Sequence, residues 1–102
     1  MGSDRELLRL ITRTCSAKFC RINGLIDLTS QQLDTVAYYS AGLTDIIISY
    51  NCEENWREVT NKFWDYYKQV RQTNINLDKD VDKVINDFEN KFKRSLGPNK
   101  TI

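Results

Sequence analysis

The side chains able to do chemistry are few and unevenly placed. The chain of 102 residues contains no histidine, which removes the commonest general base and the commonest metal ligand together. Its three cysteines, Cys15, Cys20 and Cys52, form no CxxC pair, and three scattered thiols do not make a zinc site. Cys15 and Cys20 stand five apart, which on one helix turns them about 140° from each other and prevents a bond between them. Reduced thiols in an intracellular, cytoplasmic compartment are the simplest reading. A serine or cysteine nucleophile has no histidine to activate it. The adjacent carboxylates Glu53 and Glu54 fall on a solvated helix surface, where nothing raises a pKa. Neither a glycine-rich phosphate loop nor a dinucleotide fingerprint occurs. The residues argue against an enzyme and call for no cofactor.

One acidic window carries more. Asp78, Asp80, Asp82 and Glu89 stand at positions 1, 3, 5 and 12 of a 12-residue stretch, with Ile85 at position 8. A calcium ion is held by such a ring of oxygens, closed by a bidentate Glu. The window resembles an EF-hand loop, and the resemblance implies a weak metal site at those four carboxylates. It departs at position 6, where the family's glycine is Lys83. Its apolar residues also keep the phase of one continuous helix, and no second loop is present to pair with it. The competing reading is an acid-rich helix start with no metal.

The other pattern is a row of bases. Residues 1–24 carry five bases, Arg5, Arg9, Arg13, Lys18 and Arg21, against two acids, while residues 25–51 carry three acids and no base. Arg5, Arg9 and Arg13 lie one turn apart on a face shared with Ser16. Three roles suit them: a solvated face, a phosphate contact to lipid or RNA, or pairing with the acidic second segment of the same fold. A net charge of +1 and the lack of any nucleic-acid motif argue against nucleic acid. Met1-Gly2 ahead of a basic first segment resembles the retroviral matrix proteins, small helical domains acylated on that glycine and basic toward acidic lipid. The resemblance implies peripheral binding to an acidic membrane, with Arg5, Arg9, Arg13, Lys18 and Arg21 touching phosphate or lipid. The sequence departs from it at Glu6, where the acylation signal takes Ser or Thr. Met1-Gly2-Ser3 is equally what a cloning step leaves behind.

Periodicity must position these residues, and it is helical throughout. From Asn51 to Thr73 the chain holds both tryptophans. With Trp56 as the zero of a wheel, Val59, Phe63, Tyr66, Tyr67 and Val70 fall within about 80° of it, and Trp64 lies about 80° off, at the edge of the stripe. Asn51 and Glu54 are placed to cap this helix. Ahead of it, Leu7, Leu8, Ile11, Cys15, Phe19 and Ile22 share one face of a first helix that ends at Asn23-Gly24. The next helix starts at a capping box, Thr29 to Gln32, stapled by Leu28 and Leu33. Its apolar face is broad, and residues 46–48 read alternatively as a short buried strand. Gly42 within it points to close approach of a neighbouring helix. Val81, Val84, Ile85, Phe88, Phe92 and Leu96 mark a last helix, stopped by Gly97-Pro98.

The expected fold is all-α, a compact bundle of four amphipathic helices at about 4–22, 30–50, 52–73 and 79–96. It forms a single domain over residues 1–102, with frayed ends at 1–3 and 98–102. The expected function is a small non-enzymatic protein–protein interaction module. It presents a helix face or an inter-helix groove to a protein partner or to a copy of itself. Residues outside the core phases are its expected contacts: Trp64 and Tyr38 as aromatic anchors, Arg9 and Arg13 as charged ones. Peripheral membrane binding through the basic first helix is the other reading.

Overall fold

The computed structural model describes residues 2–25 and 30–96. Along them run α1 (Gly2–Asn23), α2 (Ser30–Ser49), α3 (Trp56–Arg71) and α4 (Val81–Leu96). Short 3₁₀ turns at Glu53–Asn55 and Leu77–Asp80 lead into α3 and α4. The described residues contain no strand, and residues 46–48 lie within α2. Helix α1 already includes Gly2, inside the stretch expected to fray. The capping box rests on Leu28 and Thr29, which, like the Gly97-Pro98 stop and the tail at 98–102, lie outside the described residues.

Helices α1 and α2 both end on a residue in the left-handed region, Gly24 with φ 61° and Asn51 with φ 55°. The Leu25 N–H donates to the Cys20 carbonyl at 3.0 Å, and the Cys52 N–H to the Ile47 carbonyl at 2.8 Å. These are Schellman ends, which satisfy carbonyls that a last turn leaves open. Gly24 does what its position in the sequence implies. Asn51 closes α2, one step before the helix it was expected to cap, and α3 begins four residues later than expected, with no side-chain cap bond at Asn55.

Cross-helix contacts fix the order. Arg5 pairs with Asp45, so α1 and α2 run antiparallel. Trp64 meets Ser16 and Lys68 meets Asn23, so α1 and α3 run parallel. Tyr39 reaches Asp78 and Tyr50 reaches Glu89, which makes α2 and α4 parallel. Phe63 packs on Phe88 while Tyr67 bonds Asp78, so α3 and α4 are antiparallel. This is an up-down-up-down bundle, as short connections favour. Helices α2 and α3 meet at its centre, where the Tyr39 ring lies 5.4 to 5.5 Å from those of Phe63, Trp64 and Tyr67. Helices α1 and α4 flank that pair on either side.

Two expectations fail here for one reason. Trp64, expected as an exposed anchor, is fully buried, and its Nε1–H donates to Ser16 Oγ at 2.8 Å. Helix α1 packs against that flank of α3, and its small side chains leave room for the indole. The buried line of α1 is Leu8, Thr12, Ser16 and Cys20, a step of four turned about 90° from the expected face. Ser16, expected on the outer face with the arginines, is therefore core, and it donates to the Thr12 carbonyl at 2.7 Å. Ser40, Thr44 and Thr60 are buried in the same way, each bonded to the carbonyl four residues back. A hydroxyl satisfied within its own helix is tolerated in a core as a small side chain. Thr12 Oγ1 is different: among the described residues it is the buried side-chain oxygen left without a hydrogen-bond partner. Gly42 marks a close approach, because a Cβ there would sit 3.1 Å from Ile85 Cγ2 and nearer still to its Cδ1.

Candidate interaction surface

Turning α1 by a quarter leaves three of its large apolar residues outside. Leu7, Leu10 and Ile22 are 59%, 53% and 70% exposed. From Leu7 to Asn23 the helix carries Arg9, Arg13, Lys18 and Arg21 and no acid. Arg13, Lys18 and Arg21 line a shallow groove of about 400 Å³ with Leu10, Thr14 and Ala17. Thr14 and Lys18 also line a neighbouring groove of about 460 Å³ between α1 and the start of α3, together with Ile11, Cys15, Trp56 and Arg57. The two grooves thus form one continuous surface. Trp56 is half-buried at its edge, with the Arg57 guanidinium 5.1 Å from the ring centroid. Such stacking orients the guanidinium and the indole together.

Not all the expected bases belong to this surface. Arg5 is paired with Asp45 of α2, and Arg9 with Glu6 at 3.1 Å. Pairing with the acidic second segment, one of the three roles open to the row, is the role Arg5 takes. Both pairs are about half exposed, so each contributes at most about 1 kcal/mol. Arg13, Lys18 and Arg21 remain on the outward face, and Arg9 sits at its flank.

Tyr38 is 69% exposed, as an anchor should be, but it faces elsewhere. It lines a groove of about 530 Å³ between α2 and α4, with Gly42, Asp45, Asp80, Asp82 and Ile85 among its walls. Around the bundle the helices follow the order α1, α2, α4, α3, so the α2–α4 groove and the α1–α3 groove occupy opposite sides. The four residues expected to form one contact site are therefore dispersed: Trp64 in the core, Tyr38 on the acidic side, Arg9 and Arg13 on the basic side.

The EF-hand-like acids are used by the fold. The 3₁₀ turn and α4 run through the whole window, so no open loop wraps a centre. The Asp78 carboxylate accepts bonds from Tyr39 Oη at 2.8 Å and Tyr67 Oη at 2.7 Å. Asp80 Oδ1 accepts the Lys83 backbone N–H at 3.2 Å, and Glu89 accepts from Tyr50 Oη at 3.2 Å. Asp82 is exposed at the start of α4. Among the described residues no three carboxylate or thiol side chains converge on a point that a metal could occupy. Of the two readings of this window, the contacts described fit the acid-rich helix start, with Asp78 serving also as a core anchor. Burial first, and the bonds to Asp78 next, push both tyrosine hydroxyls up. Burial likewise pushes the Cys20 thiol up to about 12, with the Asp78 charge adding to it. That keeps the thiol protonated near neutral pH. Cys15 and Cys52 are shifted up as well, again chiefly by burial.

Sequence reasoning missed Leu7, Leu10, Ile22 and Trp56 as surface residues. The available signal was the run Thr12, Ser16, Cys20, whose small side chains suit a close helix contact better than the larger residues beside them. Among the described residues no helix is long and apolar enough to cross a membrane. No protein-family model, no curated protein and no solved structure matches this chain.

Proposed function

We propose that the chain is a non-enzymatic interaction module whose working surface is the outward face of α1 with the adjoining Trp56 groove. The partner is a protein surface that is acidic and carries apolar side chains. One observation carries the reading: Leu7, Leu10 and Ile22 are exposed on the same helix as Arg13, Lys18 and Arg21, with no acid beyond Glu6. Large apolar groups gain about 25 cal/mol per Å² when covered. The bases select a partner of opposite charge and speed its approach. Trp56 and Arg57 supply the residue types that dominate interface energetics.

The same row favours a second reading, an anionic membrane. A basic, apolar helix face suits the lipid interface. Two features favour protein instead. Arg5 and Arg9 are engaged within the fold, which leaves three bases worth about 1 kcal/mol each at an anionic surface. The Trp56 groove is concave, and a bilayer does not need a groove.

A fluorescent synthetic peptide of Leu and Glu at helical spacing tests this directly. Fluorescence anisotropy should show saturable, salt-sensitive binding. R13E/K18E/R21E should weaken it at least about tenfold, the weight of one well-paired charge contact. W56A should weaken it comparably. Binding untouched by either change overturns the protein reading. Sedimentation with anionic vesicles and not with the peptide moves the surface to lipid.

A further inference from the structure

We infer that the surface on α1 is occupied by a second copy of this chain, whose α2–α4 groove supplies the acidic face, so that copies associate head to tail. The inference rests on the outward face of α1 being a docking surface at all. What names the occupant is charge complementarity between the two sides of one molecule. The α1 side presents Arg13, Lys18 and Arg21 around exposed Leu10. The opposite side presents Asp45, Asp80 and Asp82 around exposed Tyr38, with Lys79 as the one base lining that groove among the described residues. Two of those acids are partly committed, Asp45 to Arg5 and Asp80 to the Lys83 N–H. Both remain exposed, as does Asp82, and carboxylates accept more than one bond. The grooves are similar in volume, about 400 and 460 Å³ against about 530 Å³. Tyr38 is an amphipathic ring of the kind that anchors interfaces, and Leu10 is an apolar side chain of matching scale.

The geometry also sets the type of assembly. The two faces lie on opposite sides of the bundle and are not the same patch, so the contact is heterologous. A heterologous contact leaves one free face of each kind after every addition. It grows into a ring if the rotation closes and into an open filament if it does not.

Sedimentation velocity of the full chain over a range of concentration and salt tests this. At low salt the average mass should rise above the 12.0 kDa monomer as concentration increases, and fall back at high salt. R13E/K18E/R21E removes the basic face and Y38A/D82K removes the acidic one. Each should weaken association at least about tenfold, with helical content unchanged by circular dichroism. Mixed one to one, the two variants retain one good face each, so they should form a capped dimer of twice the monomer mass and nothing larger. A wild type that stays monomeric at low salt overturns the inference, as does an assembly that either variant leaves intact or a mixture that remains monomeric. If the monomeric wild type still binds the Leu/Glu peptide through Arg13, Lys18 and Arg21, only the identity of the occupant is wrong. If it binds neither, the docking reading falls with it.

Discussion

Trp64 and Trp56 have the same side chain and opposite roles, and the difference lies in what faces each ring. Trp64 has α1 beside it, with Ser16 to accept its N–H. Trp56 stands at the first residue of α3, half-open beside Arg57. Trp64→Ala should cost about 3–5 kcal/mol in urea unfolding. Trp56→Ala should cost less, about 1–2 kcal/mol, because the ring packs against the core from one side only and keeps part of its surface in water. The hydroxyls below Trp64 divide similarly. Ser16→Ala leaves the buried indole N–H without an acceptor and should cost about 1–3 kcal/mol. Thr12→Val removes a hydroxyl that has no partner and keeps the shape, so it should be neutral or raise stability by about 1 kcal/mol.

Cys20, Tyr39 and Tyr67 set the alkaline limit at the same scale. The folded protein holds their protons more tightly than the unfolded chain does, chiefly through burial. Their contribution is complete below the unfolded values of 9.0 for the thiol and 10.0 for the hydroxyls, and is lost as pH climbs toward the raised folded values. Urea midpoints should therefore be level up to about pH 9 and fall above it, with Cys20→Ala making the first part of the fall shallower. A midpoint that held steady through pH 11 would contradict this.

Helices were the legible part of the chain. The apolar positions recur at helical spacing in all four, and Asn23-Gly24 ends the first where the pattern implies. Residues 46–48, the one stretch with a competing strand reading, are carried into α2 by the length of the pattern around them. The phase of α1 was not legible. Hydropathy assigns Leu7 and Ile22 to the core, whereas packing leaves them outside and chooses Thr12, Ser16 and Cys20 because small side chains let α1 lie close to its neighbours. Gly42 gives the element scale its own test. Gly42→Ala gains about 1 kcal/mol of helix propensity but drives a methyl into the stiff, branched Ile85. The substitution should be net destabilising in the wild type and less so in an I85A background. A double-mutant cycle should read a coupling of about 1 kcal/mol or more.

The architecture of the whole molecule followed from counting helices and short connections, and the cross-helix pairs place them in an up-down-up-down bundle. The candidate surface was only half legible. Sequence alone marks α1 as basic, but it singles out Arg9 and Arg13 among the bases, and the grouping of Arg13 with Lys18 and Arg21 comes only from the packed structure. The sequence does not show that Arg5 and Arg9 are held by Asp45 and Glu6, nor that Leu7, Leu10 and Ile22 look outward, because each depends on which side of α1 its neighbours cover. The same dependence split Tyr38 from Arg13 and put them on opposite sides of the bundle. The most direct measurement is a titration of the isotopically labelled chain, dilute enough to be monomeric, with the Leu/Glu peptide, followed through its amide NMR shifts. The predicted result is a set of shifts confined to the outward residues of α1, from Leu7 to Ile22, and to Trp56 and Arg57, with the amides around Trp64 and Tyr39 unmoved. Shifts centred on Tyr38 and Asp82, or none at all, would contradict the assignment of α1 as the working face.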